Sequence, residues 1–347
     1  MRTFFHPDQR LHDPQQFMRV GRIARPTDVP SRCDVLLATL EARGLAPTAP
    51  EPAGLGPALA VHSPDYLDFL ATIYEGWSAL PDAGPEVLPN LSPYWNARPG
   101  ETRQPCRPES LVARAGHYLG DLSVPIGPHS WQSILAASHC AAAAADAVLS
   151  GETSAYALCR PSGHHARRDR ASGFCYVNNA AIAAQRLRSH YDRVTVLDID
   201  AHHGDGTQEI FYARDDVQTI SIHADPNVYY PFYTGYPEER GVAAGEGRNL
   251  NLPLPAGASD AEYHAAIDRA LEEATTFGAQ ALVLSLGFDG HREDPIGLLD
   301  ISTRAFQGVG ERVRSIDLPT VIIQEGGYQT SVIGACLDEF LGGFGAY

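Results

Sequence analysis

The chain has 347 residues, 44% apolar and 20% charged, which excludes a disordered or fibrous protein and allows one large domain or two modest ones. Its formal charge of −16 argues against a nucleic-acid partner, which needs clustered basic residues, and would favour a cationic substrate. No apolar run reaches the roughly 20 residues of a membrane span, the start lacks a signal-peptide core, and Cys33, Cys106, Cys140, Cys159, Cys175 and Cys336 form no C-x-x-C pair, so a cytoplasmic protein with free thiols and no membrane partner is expected.

In chain order, apolar spacing predicts a helix over 31–43. A Pro- and Gly-rich segment follows at 81–128, carrying Tyr94, Trp95 and Tyr118 and too long for an ordinary connection. It reads either as a surface excursion or as a loop that shapes a site or an oligomer interface. Beyond it come a helix over 131–149, a strand near 155–158, a helix over 178–188 and strands at 193–198 and 217–222. A helix over 260–277, a strand at 281–286, a helix over 303–315 and a strand at 320–324 complete the series. This alternation predicts an α/β fold with a central, mostly parallel sheet flanked by helices.

Two segments carry unusual chemistry. Val196-Leu-Asp-Ile-Asp-Ala-His-His-Gly-Asp-Gly206 begins as a buried strand and runs into carboxylates and imidazoles, which burial tolerates only when they are paired or bound to metal. Residues two apart on a strand share a face, so Asp198, Asp200 and His202 are expected to project together at the strand's carboxyl end. A second strand ends in Gly287-Phe-Asp289 and a third in Gly326-Gly-Tyr328. In a parallel sheet these ends share one edge. Asp200, His202 and Asp289 could then converge on zinc or another borderline divalent ion, with positions open for water and substrate. His203 falls on the opposite face and is read as structural.

Arg160-Pro-Ser-Gly-His-His-Ala166 places His164 and His165 just after another strand. A water activated by a metal needs a base, and a departing amine needs an acid; a histidine tuned by a carboxylate does both. Asp198 and Asp205 are not needed by the metal, so two His–Asp pairs could form.

These segments, with Ser172-Gly-Phe-Cys-Tyr-Val-Asn-Asn179 and Gly287-Phe-Asp289, resemble the histone deacetylase and acetylpolyamine amidohydrolase family. The likeness runs from Pro30-Ser-Arg32 to Gly326-Gly-Tyr328. It implies an arginase/deacetylase-like three-layer fold and one deacetylase domain over 1–347 with a long inserted loop at about 81–128. It also implies Zn²⁺, or Fe²⁺ on the same ligands, held by Asp200, His202 and Asp289. His165 would be general base and then acid, oriented by Asp205. His164, paired with Asp198, would give electrostatic support, and Tyr328 would donate to the scissile carbonyl. Phe174, Tyr230, Gly173 and Ile296 would line the substrate channel, and Arg32 an internal acetate cavity. A structural K⁺ would lie at Asp198, Asp200, His202, Ser221 and Ile222, partly through backbone carbonyls.

A binuclear manganese ureohydrolase is disfavoured because Gly204 stands where a bridging acid would be needed and Asp205 faces the other way. A non-catalytic binder of acetylated ligands is disfavoured because the catalytic positions are filled. The long loop resembles that of bacterial acetylpolyamine amidohydrolases, implying a homodimer and a small cationic acetylated amine as substrate; acyl-lysine peptides are the main competitor. Ile296 offers no acid for the amine, so Asp121, Glu101 and Glu109 are unranked candidates.

Overall fold

The computed structural model describes residues 1–93 and 103–346; Tyr94, Trp95 and Glu101 lie outside this set. In chain order it contains β1 (Arg2–Phe4), β2 (Phe17–Arg19), β3 (Arg22–Ala24), α1 (Ser31–Ala42), α2 (Gly56–Leu59), α3 (Pro64–Ser78), α4 (Leu111–Tyr118) and α5 (Ser130–Leu149). The series continues with β4 (Ser154–Ala157), α6 (Asn179–Leu187), β5 (Val194–Asp198), α7 (Asp205–Phe211), β6 (Val217–Ala224) and β7 (Asn249–Leu254). It ends with α8 (Asp260–Phe277), β8 (Ala281–Leu286), α9 (Ala305–Ser315), β9 (Thr320–Gln324) and α10 (Ile333–Phe344).

Seven strands form one parallel sheet in the order β1-β4-β9-β8-β5-β6-β7. Each predicted strand and helix is present. The period-2 rule divides every central strand between two cores. Val194, Val196, Val283, Val321 and Ile323 face α5 and α6. Leu197, Leu282, Leu284, Leu286 and Ile322 face α1, α8, α9 and α10. The result is a helix–sheet–helix stack, with all strand carboxyl ends on one edge. Helix α8 is bounded as its sequence suggests. Ser259 and Glu262 form a reciprocal capping box, and Gly278 closes the helix at φ 74°.

The described parts of the 81–128 segment, residues 81–93 and 103–128, are more ordered than its composition suggests. It carries α4, an antiparallel bridge between Val87 and Ile126, and buried Tyr118, Leu119 and Val124. Two backbone hydrogen bonds, Ala171 N to Tyr118 O and Gly120 N to Ala171 O, fasten it to the loop below the tandem histidines. No helix among the described residues is long and apolar enough to cross a membrane, and all six cysteines are free.

Candidate active site

The metal-ligand group forms at the carboxyl edge of β5, β8 and β9. One ligand atom each from Asp200, His202 and Asp289 lies within 4.8 Å of the others, and all three residues are buried. Asp198 does not join them, although the alternation rule put it on their face. Strand β5 ends at Asp198, so the extended geometry stops there. Asp198 turns instead to His164, with Oδ2 2.9 Å from Nδ1.

The carboxylates of Asp200 and Asp289 pack close against glycine backbone. A Cβ at Gly287 would lie 2.2 Å from Asp200 Oδ2, and one at Gly326 would lie 2.4 Å from Asp289 Oδ2. Burial, and then repulsion from Asp200, pushes the Asp289 carboxyl up to about 7. Burial opposes a charge on His202, yet Asp289 and Asp200 outweigh it and raise the imidazole to about 9. Two crowded carboxylates that draw a proton onto their own histidine are what a divalent cation would relieve. The donor set, two oxygens and one nitrogen, suits zinc or iron. The ring of Tyr229 stacks on His202 at 4.5 Å and 20°, fixing its plane.

The two His–Asp pairs also form. His165 Nδ1 lies 2.7 Å from Asp205 Oδ1, and its ring is 5.9 Å from that of His202. Burial, then the neighbouring His164, lowers the His165 pKa to about 4 against the opposing pull of Asp205. In His164 burial is outweighed by Asp198 and Asp200, and its pKa rises well above the usual histidine value. The adjacent imidazoles are thus tuned in opposite directions. The loop that presents them is fixed by Glu325, whose Oε2 accepts from the backbone N–H of Gly163 (2.7 Å) and of His164 (3.3 Å). Gly204 has a steric role: a Cβ there would sit 2.2 Å from Asp198 Oδ2. An acid at this position would displace the His164–Asp198 pair.

Tyr328 leaves β9 through Gly326 and Gly327, the latter at φ 110°. Its backbone N–H donates to Asp294 Oδ2 at 2.7 Å. Burial holds its hydroxyl pKa well above 10, so it remains a donor. Arg32 lies beneath, 4.8 Å from the ring, and is 2% exposed rather than on the surface. It donates to Gly327 O and Glu325 O and shares Asp28 Oδ1 with Arg160. Two buried guanidiniums therefore share the single carboxylate of Asp28.

Aromatic residues surround Tyr328 and His165. The Phe174 ring is 5.6 Å from Tyr328 and 5.6 Å from Phe17; the Tyr230 ring is 5.0 Å from His165. Gly173 lies against His165, where a Cβ would fall 2.3 Å from Cδ2. Ile296 O accepts from the Tyr229 hydroxyl, and Ile296 N donates to Asp294 Oδ1. Of the candidate acids within the described residues, Asp121 reaches this group: Oδ2 accepts from Tyr230 Oη at 2.7 Å and from Gly173 N at 3.2 Å. Glu109 is exposed.

The residues named for potassium are grouped in part. Asp198 and Ser221 are register partners on β5 and β6, and Ile222 follows. Ser221 Oγ lies 3.2 Å from His203 Nδ1 and 2.8 Å from His223 Nδ1. His203 therefore points away from the metal ligands, as expected.

Tyr229, Asp294, Glu325 and Arg167 were not singled out from sequence. Each acts through another side chain or through a backbone N–H. Only the adjacency of Tyr229 to Tyr230, and of Glu325 to Gly326, offered a signal.

The chain is similar to known proteins along its whole length. The histone deacetylase domain signature matches residues 27–344. An acetylpolyamine amidohydrolase of Burkholderia pseudomallei is 46% identical over 347 residues, covering 100% of this chain and 99% of that protein. Acetylpolyamine amidohydrolase 1 of Pseudomonas aeruginosa is 39% identical over 346 residues, covering 99% of each. The crystal structure of an acetylpolyamine aminohydrolase from Burkholderia pseudomallei superposes with a TM-score of 0.95 at 46% identity, covering 100% of this chain and 99% of that one. The arginase/deacetylase-like fold is therefore that of the chain.

Proposed function

The chain belongs to the histone deacetylase domain family, and from that premise we propose that it is a zinc-dependent deacetylase of N-acetylated polyamines or similar small aminoalkyl amides. The observation that carries the substrate class is the reach of the likeness. The two acetylpolyamine amidohydrolases match across the whole chain, the 81–128 segment included. Asp121, an acid from that segment set against the channel wall, is suited to a cationic amine.

A divalent ion held by Asp200, His202 and Asp289, zinc or iron, would supply a Lewis acid and lower the pKa of water beside it. With Nδ1 committed to Asp205, His165 has Nε2 to take a proton from the attacking water and return it to the leaving amine. His164, kept charged by Asp198, lends positive potential to the developing negative charge. Tyr328 donates its hydroxyl hydrogen to the carbonyl oxygen and then to the oxyanion. Phe174 and Tyr230 clasp the alkyl chain, and the guanidinium of Arg32 suits the acetate product.

We further propose a single deacetylase domain that pairs as a homodimer through the 81–128 segment, and a structural K⁺ beside Asp198, Asp200, His202, Ser221 and Ile222.

The reading is tested by metal analysis together with acetate release from N-acetylputrescine. One zinc or iron per chain, with activity lost on chelation and restored by the metal, is the expected result. Two tightly bound manganese ions per chain would instead point to a ureohydrolase-type centre.

A further inference from the structure

Both oxygens of Asp205 are committed. Oδ1 faces His165 Nδ1 at 2.7 Å. Oδ2 accepts from Arg167 twice, from Nε at 3.1 Å and Nη2 at 2.8 Å. The third nitrogen, Nη1, reaches Glu209 Oε2 at 3.2 Å. Asp205 is buried at the start of α7, and Arg167 follows His165 by two residues in the same loop. One buried carboxylate is thus bracketed between an imidazole and a guanidinium.

This arrangement differs electrically from a simple His–Asp pair. A carboxylate alone would lay a full negative charge against the imidazole in a region of low dielectric. A guanidinium bonded to the far oxygen cancels much of that field and also fixes the carboxylate plane, since two N–H groups of a rigid fork converge on it.

We propose that Arg167 is a positioning residue of the reaction: it neutralises Asp205 and locks its plane, so that Asp205 aims the Nδ1–H of His165 as an uncharged acceptor would. Arg167 itself need not touch the substrate.

A specific consequence follows for paired substitutions. In D205N the amide must turn its oxygen to His165, which leaves its NH2 facing the Arg167 donors. In R167Q the carboxylate keeps its full charge and exchanges two charged donors on one oxygen for at most one neutral amide donor. Combining the two restores a neutral, satisfied pair, because the glutamine oxygen can accept from the asparagine NH2.

The inference rests on His165 as the base. The experiment therefore compares R167Q, R167K, D205N, R167Q/D205N and H165A as zinc-loaded full-length protein, using N-acetylputrescine and measuring kcat, KM, bound zinc and melting temperature. R167Q and D205N should each lower kcat by about tenfold or more, with KM shifted less than about twofold. The double variant should exceed both singles, and R167K should lose less than R167Q. Multiplying losses in the double variant, or equal losses in R167K and R167Q, would overturn the proposal and leave Arg167 a structural tie. Should R167Q be too unstable to assay, D205N against the double variant decides alone: recovery supports the proposal and further loss overturns it. An active H165A would defeat the base assignment itself, whereas an inactive H165A with multiplying losses would defeat only the role of Arg167.

Discussion

Gly173 lies flat against the imidazole of His165: a Cβ at 173 would fall 2.3 Å from His165 Cδ2 and 3.0 Å from Tyr230 Cε1. The glycine also sits at φ 55°, a conformation that other L-residues adopt at a cost. His165 and Tyr230 therefore meet at one close contact that only a hydrogen side chain permits.

We predict that Gly173→Ala displaces the His165 ring and lowers kcat by about 100-fold, since misplacement on the order of 1 Å can have that effect. The backbone penalty should lower stability by about 1–2 kcal/mol. Steady-state kinetics with zinc content checked would measure this; wild-type kcat in the variant would mean the contact is unimportant.

Tyr328→Phe removes one donor to the oxyanion. The expected loss is about 3 kcal/mol of barrier, roughly 100-fold in kcat, with KM and zinc content nearly unchanged. A variant whose KM rises while kcat holds would show that the hydroxyl serves ground-state binding instead.

Much of this site was legible because its donors lie at the ends of strands with plain apolar patterning. Asp200, His202, Asp289 and Tyr328 follow β5, β8 and β9, each a run of apolar residues. What strand alternation missed was where β5 stops. The turn after Asp198 separates that acid from Asp200, although they are two residues apart. Short or edge elements were also hidden. Strand β1 has three residues, and β7 holds Pro253 at the sheet edge, where a missing N–H is tolerated. Arg167 gave no pattern, and Glu325 only its adjacency to Gly326, because their contacts close only when the loop after Pro161 folds back onto the sheet.

His62 should contribute to the acid sensitivity of the fold. His62 Nε2 accepts from Asn178 N at 2.9 Å, while Nδ1 lies 3.0 Å from Arg167 O, so the folded protein holds the neutral tautomer. Burial is the main cause, lowering its pKa from 6.5 to about 4. Between those values the unfolded chain binds the proton and the folded chain does not. Stability from this group is therefore complete above pH 6.5 and falls as pH drops toward 4, by about 1.4 kcal/mol per pH unit. Denaturant unfolding of the wild type and H62Q from pH 7 to 4.5 should show a shallower decline in the variant; parallel declines would contradict the assignment.

The substrate claim is tested most directly by catalytic efficiency on a panel of acetylputrescine, acetylcadaverine, acetylspermidine and acetyl-lysine peptides with zinc-loaded protein. At least one acetylated amine should exceed every peptide by roughly tenfold or more, about 1.4 kcal/mol in transition-state binding, and Asp121→Asn should narrow that margin. Peptides turned over more efficiently than all the amines would contradict the account.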